Sequence, residues 1–396
     1  MNVLPNVAFT QVAQLAGAVA ELTLYLHGEA SLNSTIIHMA QDFPGSNNVN
    51  LLVPNGAFGT RLANGHDAAS PRYVYTCAAP VTRKLLRSED DALLERLKEE
   101  GQDVEPRAFW PVLPLLLLNG SDAIATGYSS DVPAFNPREV LQNVRRMLAG
   151  EEPQPMSPWF RGFRGDVSSI GPGKWRATGT LTGAGDTWTV TELPPKTSFN
   201  KFVEWLESEK SPATLLENRC TDTEAHFKIQ LKQPVDDAEA AIAALSPLTQ
   251  TVGTANMHAF DADGRIKKYA SAEDVLREWV PWRLERYADR RAHLVKTLEA
   301  EALSLESRAR FIRAVCAKQI DISAHKEDGL LALLEQQGYD EPKKLLALRA
   351  GSFTIDRAAE AESSAAKARA EAVRVEKLSP RDLWAADLDE VDPYLT

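Results

Sequence analysis

From Ser271 to about Ile322 the chain contains no glycine, and after Pro281 it contains no proline. Free of both breakers, WRLERYADRRAHLVKTLEAEALSLESRARFIRAV (282–315) reads as one long helix by length and period. A second helical run, TIDRAAEAESSAAKARAEAVRVEKL, is Ala-rich with alternating charges and follows Gly351-Ser352. Between them lies DGLLALLEQQGYDEPKKLLAL, a small helical knob. Two long helices that leave and return around a knob predict an antiparallel coiled coil with a tip domain. The apolar repeat of the returning helix is mostly Ala and Val, so its seam is narrow.

At 396 residues the chain exceeds one ordinary core, and roughly two to four domains are expected. With 44% hydrophobic and 25% charged residues it reads as soluble and globular rather than disordered. No run approaches the roughly 18 apolar residues of a membrane span, and MNVLPNVAFTQ lacks the basic flank and cleavage site of a secretion signal. Cys77, Cys220 and Cys316 are odd in number and far apart, which fits neither a disulfide framework nor a zinc site. A cytoplasmic protein with free thiols is the expectation, the host cytoplasm if the chain is phage-encoded.

The formal charge of -11 argues mildly against nucleic acid, because neutralising phosphates calls for basic excess. Its distribution argues the other way. Between Arg61 and Arg87 stand Arg61, Arg72, Arg83, Lys84 and Arg87, against Asp67 alone, while acidic residues gather at 88–105 and near the C-terminus. That leaves room for a basic patch in an acidic protein.

Along the chain, VAQLAGAVAELTLYLHGEASLNSTIIHMAQDF predicts two helices around His27-Gly28. The Gly-, Asn- and Pro-rich stretch 44–71 predicts turns and loops. WPVLPLLLLNG predicts a short buried strand ending in an Asn-Gly turn. From about Asp131, alternating segments such as KWRATGTLTGAGDTWTVTELPP and AHFKIQLK enclose the helical SFNKFVEWLESEK, a separate α+β unit.

In AASPRYVYTC (68–77), Arg72 stands directly against Tyr73. An arginine is never deprotonated in a protein and can fork two hydrogen bonds onto a phosphate. A phenol is a poor nucleophile at neutral pH until a cation or base favours its phenolate. The pair is thus either a strand edge that carries an arginine or a tyrosine armed to attack phosphorus.

GSNNVNLLVPNGAFGTRLANGHDAASPRYVYT (45–76) closely resembles the active-site segment of type IIA DNA topoisomerases, in the form found in eukaryotes and T-even bacteriophages. The helical segment before it, and LPLLLLNGSDAIATGYSSDVPAFNPREVLQNVRRMLAGEEPQPMSPWFRGFRG after it, resemble the flanking family segments. TVTELP, ADGRIKKYASAEDVLREW and LSPRDLW continue the likeness in order almost to Thr396.

The resemblance implies a homodimeric DNA gate in which Tyr73 attacks a backbone phosphate and holds the cut 5′ end, with Arg72 stabilising the transition state. A fixed guanidinium suits the charge that gathers on the non-bridging oxygens. Tyr75, the rival, lies one strand alternation away. His27 matches a family histidine near the cleaved phosphate, with Leu26 where relatives often carry a second one. Ile124 matches the isoleucine that wedges between base pairs, at the cost of unstacking them. Asn47, Asn48, Arg61 and the loop Gly56 to Gly59 are expected to contact backbone phosphates, which position DNA without reading its sequence.

The fold the resemblance implies is a multidomain α+β chain. A winged-helix DNA gate would occupy 1–130 and an α+β tower domain 131–270. The outgoing helix of a long antiparallel coiled coil would occupy 271–322, a helical C-gate knob 323–352, and the returning helix with the C-terminal segment 353–396. Neither a Gly-rich ATP-binding segment nor the acidic set of a metal-binding toprim domain is legible, and DADGR (261–265) reads as a turn. Family members have a further basic helical segment before the part that matches Val12. Magnesium and ATP are therefore expected on a partner ATPase/toprim subunit, with double-stranded DNA and a second copy of this chain as the other partners. A gyrase-type A chain is the alternative within the class. A catalytically inactive DNA-binding or scaffold protein is the alternative outside it, disfavoured by the intact Arg72-Tyr73 and Ile124.

Overall fold

Helices α1 (Val12–Thr23) and α2 (Glu29–Ala40) pack against a three-stranded antiparallel sheet in the computed structural model, which describes residues 8–324 and 326–395. The strands are β1 (Thr10–Gln11), β2 (Leu52–Asn55) and β3 (Tyr75–Ala78), in the order β1-β3-β2. The helices form because Val12, Leu15 and Ala16, then Ile36, Ile37 and Ala40, recur at three- and four-residue intervals. Those faces close with Leu52, Phe58 and Val74 into one core. Leu24 ends α1 in the left-handed region, which frees 25–28 to turn into α2. The register places Gln11 and Asn55 opposite Tyr75, so the loop 56–74 departs and returns at one edge of the sheet.

This sheet belongs to the first of two compact units, which runs to Arg283 and resumes at Ala385; the second is Leu284–Trp384. Beyond β3 the run Leu115–Asn119 is a helix, not the expected strand. A short apolar run has no period by which to tell a buried strand from a buried helix. Pro114 precedes its first turn and Gly120, at φ 71°, ends it. The next residues form the hairpin Ser121–Ala125 with Tyr128–Val132.

The α+β part follows. One antiparallel sheet carries Asp166–Gly171, Lys174–Thr178 and Thr249–Gly253, and a second carries Thr180–Glu192, Ala213–Asn218 and Phe227–Val235. Phe199 and Phe202 of the helix Phe199–Glu207 pack edge-on against Phe227 at the centre of its core. Asp261 to Arg265 form a turn between two strands, where the Asp261 carboxylate accepts from the backbone N–H groups of Asp263 and Arg265. The acidic C-terminal residues return to this unit. Glu390 takes Lys84 and Arg87, Asp387 also faces Arg87, and Asp389 takes Arg145.

The long helix Ala272–Cys316, 45 residues and about 68 Å at the usual rise, enters the second unit at Leu284 and there pairs with Ile355–Lys377. Arg369 grips Glu306 and Arg313 grips Glu362 through paired hydrogen bonds of 2.5–2.7 Å. As one helix advances seven residues its partner retreats seven, so the two are antiparallel. Ala358, Ala361, Ala365, Ala368, Ala372 and Val375, spaced three and four apart, are the buried stripe of the returning helix. Small side chains let the backbones approach, which makes the seam narrow. Phe311, Ile320, Leu330, Leu334, Tyr339 and Leu345 form a separate core in the knob.

Candidate active site

The carbonyls on either side of the Arg72-Tyr73 pair are held by a helix end. The first N–H groups of an α-helix have no partner within it. In α1 the Val12 N–H donates to the Val74 carbonyl at 3.0 Å and the Ala13 N–H to the Pro71 carbonyl at 3.3 Å. The Gln11 side-chain amide donates to the Arg72 carbonyl at 2.6 Å. Pro71 sits where a β-turn favours proline, and the Tyr73 N–H closes that turn on the Ser70 carbonyl at 2.8 Å. Val74 is buried in the core. The backbone is thus fixed by four hydrogen bonds and an apolar anchor, while both side chains project.

Tyr73 is 65% exposed, and the Arg72 guanidinium carbon lies 4.9 Å from the centre of its ring. Tyr75 is exposed as well, at 41%. What separates the two phenols is the cation beside Tyr73, not access to solvent. A nucleophile next to a planar double donor can attack phosphorus while the donor holds the oxygens.

Upstream, the loop is shaped by Gln41, whose amide donates to the carbonyls of Phe58 and Gly65 at 2.9 and 3.2 Å. Gly59, at φ 96°, lies so near Gly65 that a Cβ would fall 2.5 Å from the Gly65 carbonyl oxygen. Only glycine fits that approach.

Two of the residues expected at phosphates, Arg61 and Asn48, are buried in the fold, and a third, Asn47, is partly buried. Arg61 is 1% exposed. Its guanidinium is spent on the Glu192 carboxylate and the Leu193 carbonyl and lies over Phe199. Burial pulls its pKa below the ordinary arginine value, with Glu192 opposing. Asn48 is buried too, donating to the carbonyls of Leu118, Phe135 and Trp159 and accepting from the Arg161 N–H. The Asn47 amide caps the end of α2 on the carbonyls of His38 and Gln41. With Lys84 and Arg87 paired as well, the basic run Arg61–Arg87 is not one free patch.

His27 is exposed in the α1–α2 turn, edge-on to Tyr25. Ile124 is 92% exposed on its hairpin, opposite Ser129 and one residue from the turn. That placement is unlike any core isoleucine. Among the described residues no group of three or more His, Cys, Asp and Glu comes together that could hold a metal.

A family model for the A subunits of DNA gyrase and topoisomerase IV matches residues 1–389. The chain belongs to that family. It is 36% identical to DNA topoisomerase 2 of Arabidopsis thaliana, over 97% of this chain and 30% of that protein. It is 42% identical to DNA topoisomerase 2 of Pisum sativum, over 83% of this chain and 23% of that protein. A crystal structure of the Plasmodium falciparum topoisomerase II DNA-binding, cleavage and re-ligation domain superposes with a TM-score of 0.90 at 29% identity, covering 98% of this chain and 58% of that one. The chain thus spans less than a third of these two curated relatives. These relatives agree with the eukaryotic side of the resemblance read from residues 45–76. Gln11 and Gln41 carry no signal in the sequence of this family member, because each holds backbone that only folding brings near.

Proposed function

We propose that this chain is the DNA breakage-reunion part of a type II DNA topoisomerase. The observation that carries the reading is Tyr73: exposed, fixed through its backbone, and set under the Arg72 guanidinium. The Tyr73 phenol oxygen forms a bond to a backbone phosphorus and the P–O3′ bond breaks. The phenol loses its proton, the departing 3′ oxygen gains one, and the 5′ end stays on the enzyme as a phosphotyrosine. The phosphodiester energy is retained in that bond, so religation reverses the step without fuel. Arg72 swings from the ring to the non-bridging oxygens, and Ile124 and His27 contact the bent duplex.

On this reading α1, α2, the small sheet and its loop form a winged-helix gate, the α+β part a tower, and the paired helices and knob a coiled coil with its C-gate. Two copies make the gate. ATP hydrolysis, and magnesium held by carboxylates, come from a partner ATPase/toprim subunit or its equivalent. The test is a denaturant trap of cleaved plasmid followed by peptide mapping. The adduct maps to Tyr73, is lost in Tyr73→Phe and survives in Tyr75→Phe; the reverse pattern sinks the assignment.

A further inference from the structure

Asp122 and Asp131 stand directly opposite each other across the hairpin that carries Ile124. Like charges at opposed positions destabilise a strand pair. The conflict is met from outside the hairpin: Lys196 Nζ lies 3.2 Å from Asp122 and 3.4 Å from Asp131. The Tyr128–Val132 strand has further holds, from the Asn256 carbonyl on the Asp131 N–H and the His258 carbonyl on Ser130 Oγ. On the strand that bears Ile124, Asp122 is tied to the α+β part through Lys196.

The backbone of the same residue faces the tyrosine's loop. The Lys196 carbonyl accepts from the Asn64 side-chain amide at 2.8 Å, and its N–H donates to Gln250 at 3.2 Å. Its neighbours extend the junction: the N–H groups of Phe199 and Asn200 donate to the carbonyls of Arg61 and Leu62, and Glu192 holds the Arg61 guanidinium. A single turn between a strand and a helix therefore touches both the loop that delivers Tyr73 and the base of the hairpin that presents Ile124. Because Lys196 is half exposed, its charge is worth little to global stability. Its leverage is on the set of the hairpin.

We propose that Lys196 is a positioning residue that holds the Ile124 hairpin in the orientation needed to bend DNA and couples it to the Tyr73 loop. The proposal rests on the topoisomerase reading above, in which Ile124 is the wedge. Lys196→Met removes the charge and keeps the backbone contacts. In the complex reconstituted with its ATPase and toprim functions, energy transfer across an end-labelled duplex reports bending, and trapped adduct reports cleavage. We expect Lys196→Met to lower both by about two- to five-fold, the range of an opposed charge pair, with thermal stability and affinity nearly unchanged. Adding Asp122→Asn and Asp131→Asn to Lys196→Met removes the repulsion and should restore bending.

Unchanged bending in Lys196→Met overturns the proposal. So does a loss that the Asn pair fails to restore, especially with a salt slope of binding lower by about one, which would mean that Lys196 touches a phosphate itself. Ile124→Ala in the unaltered background separates the two readings. If it leaves the bend intact, the wedge reading fails whatever Lys196 does.

Discussion

Tyr73 and Tyr75 are both open to solvent, so on the proposed reading what selects Tyr73 is the arginine before it. Arg72 is a planar double donor, and lysine, a point charge, cannot match it on a phosphate. Arg72→Lys should therefore lower the cleavage rate by about 100- to 1,000-fold, as loss of one transition-state donor does elsewhere, with DNA affinity little changed. Single-turnover cleavage checks it, and a near-normal rate would remove Arg72 from the chemistry. Arg61 behaves in the opposite way. Arg61→Met leaves the buried Glu192 with only the more exposed Arg164, 3.7 Å from its other oxygen, which should cost up to about 3–5 kcal/mol in a denaturant melt without altering the salt slope of DNA binding. A lowered slope would return Arg61 to the phosphate contacts. The residue types at Arg61, Asn47 and Asn48 are legible as polar loop chemistry, but burial is not. Which polar side chains turn inward depends on partners such as Glu192 and Leu118, more than 60 residues away.

At the scale of elements, legibility follows length. The helix through 282–315 can be read because a long run without glycine or proline has few alternatives, and the Ala stripe from Ala358 to Val375 declares its face by spacing. Leu115–Asn119 reads as a strand yet folds as a helix because a run of four leucines fits either period. The Ile124 hairpin is legible only as an Asn-Gly turn with an isoleucine beyond it; its exposure comes from the fold. That exposure has a measurable consequence. Ile124→Ala removes the apolar wedge without removing a phosphate contact, so bending of a short duplex should fall sharply while affinity falls modestly. The bend costs on the order of 1–6 kcal/mol, and the wedge offsets part of it only in the bent complex. Energy transfer across the labelled duplex checks this. A lost melting temperature with the bend intact would mean that the side chain packs somewhere in the protein after all.

At the scale of the whole molecule, the question is what this chain does by itself. Its described residues set out the exposed Tyr73, the Arg72 guanidinium beside it and the exposed Ile124 on its hairpin, which we propose as nucleophile, hydrogen-bond donor to phosphate and wedge. Divalent cations need hard oxygen ligands grouped around them, and no group of three or more metal-binding side chains occurs among those residues. Three acidic residues are committed otherwise: Asp261 to its own turn, Glu192 to Arg61, and Glu390 to Lys84 and Arg87. On the proposed division of labour, magnesium at the scissile phosphate is presented by another chain or domain. The purified chain with magnesium should then yield at least about tenfold less trapped adduct than the same chain with an ATPase/toprim partner, a margin set by what metal charge stabilisation contributes to phosphoryl transfer. Tyr73→Phe in the mixture should bring the adduct to background, which ties the gain to this chain's nucleophile rather than to the partner's. Equal cleavage with and without the partner would mean that Arg72 and its surroundings suffice, and that the division of labour proposed here is wrong.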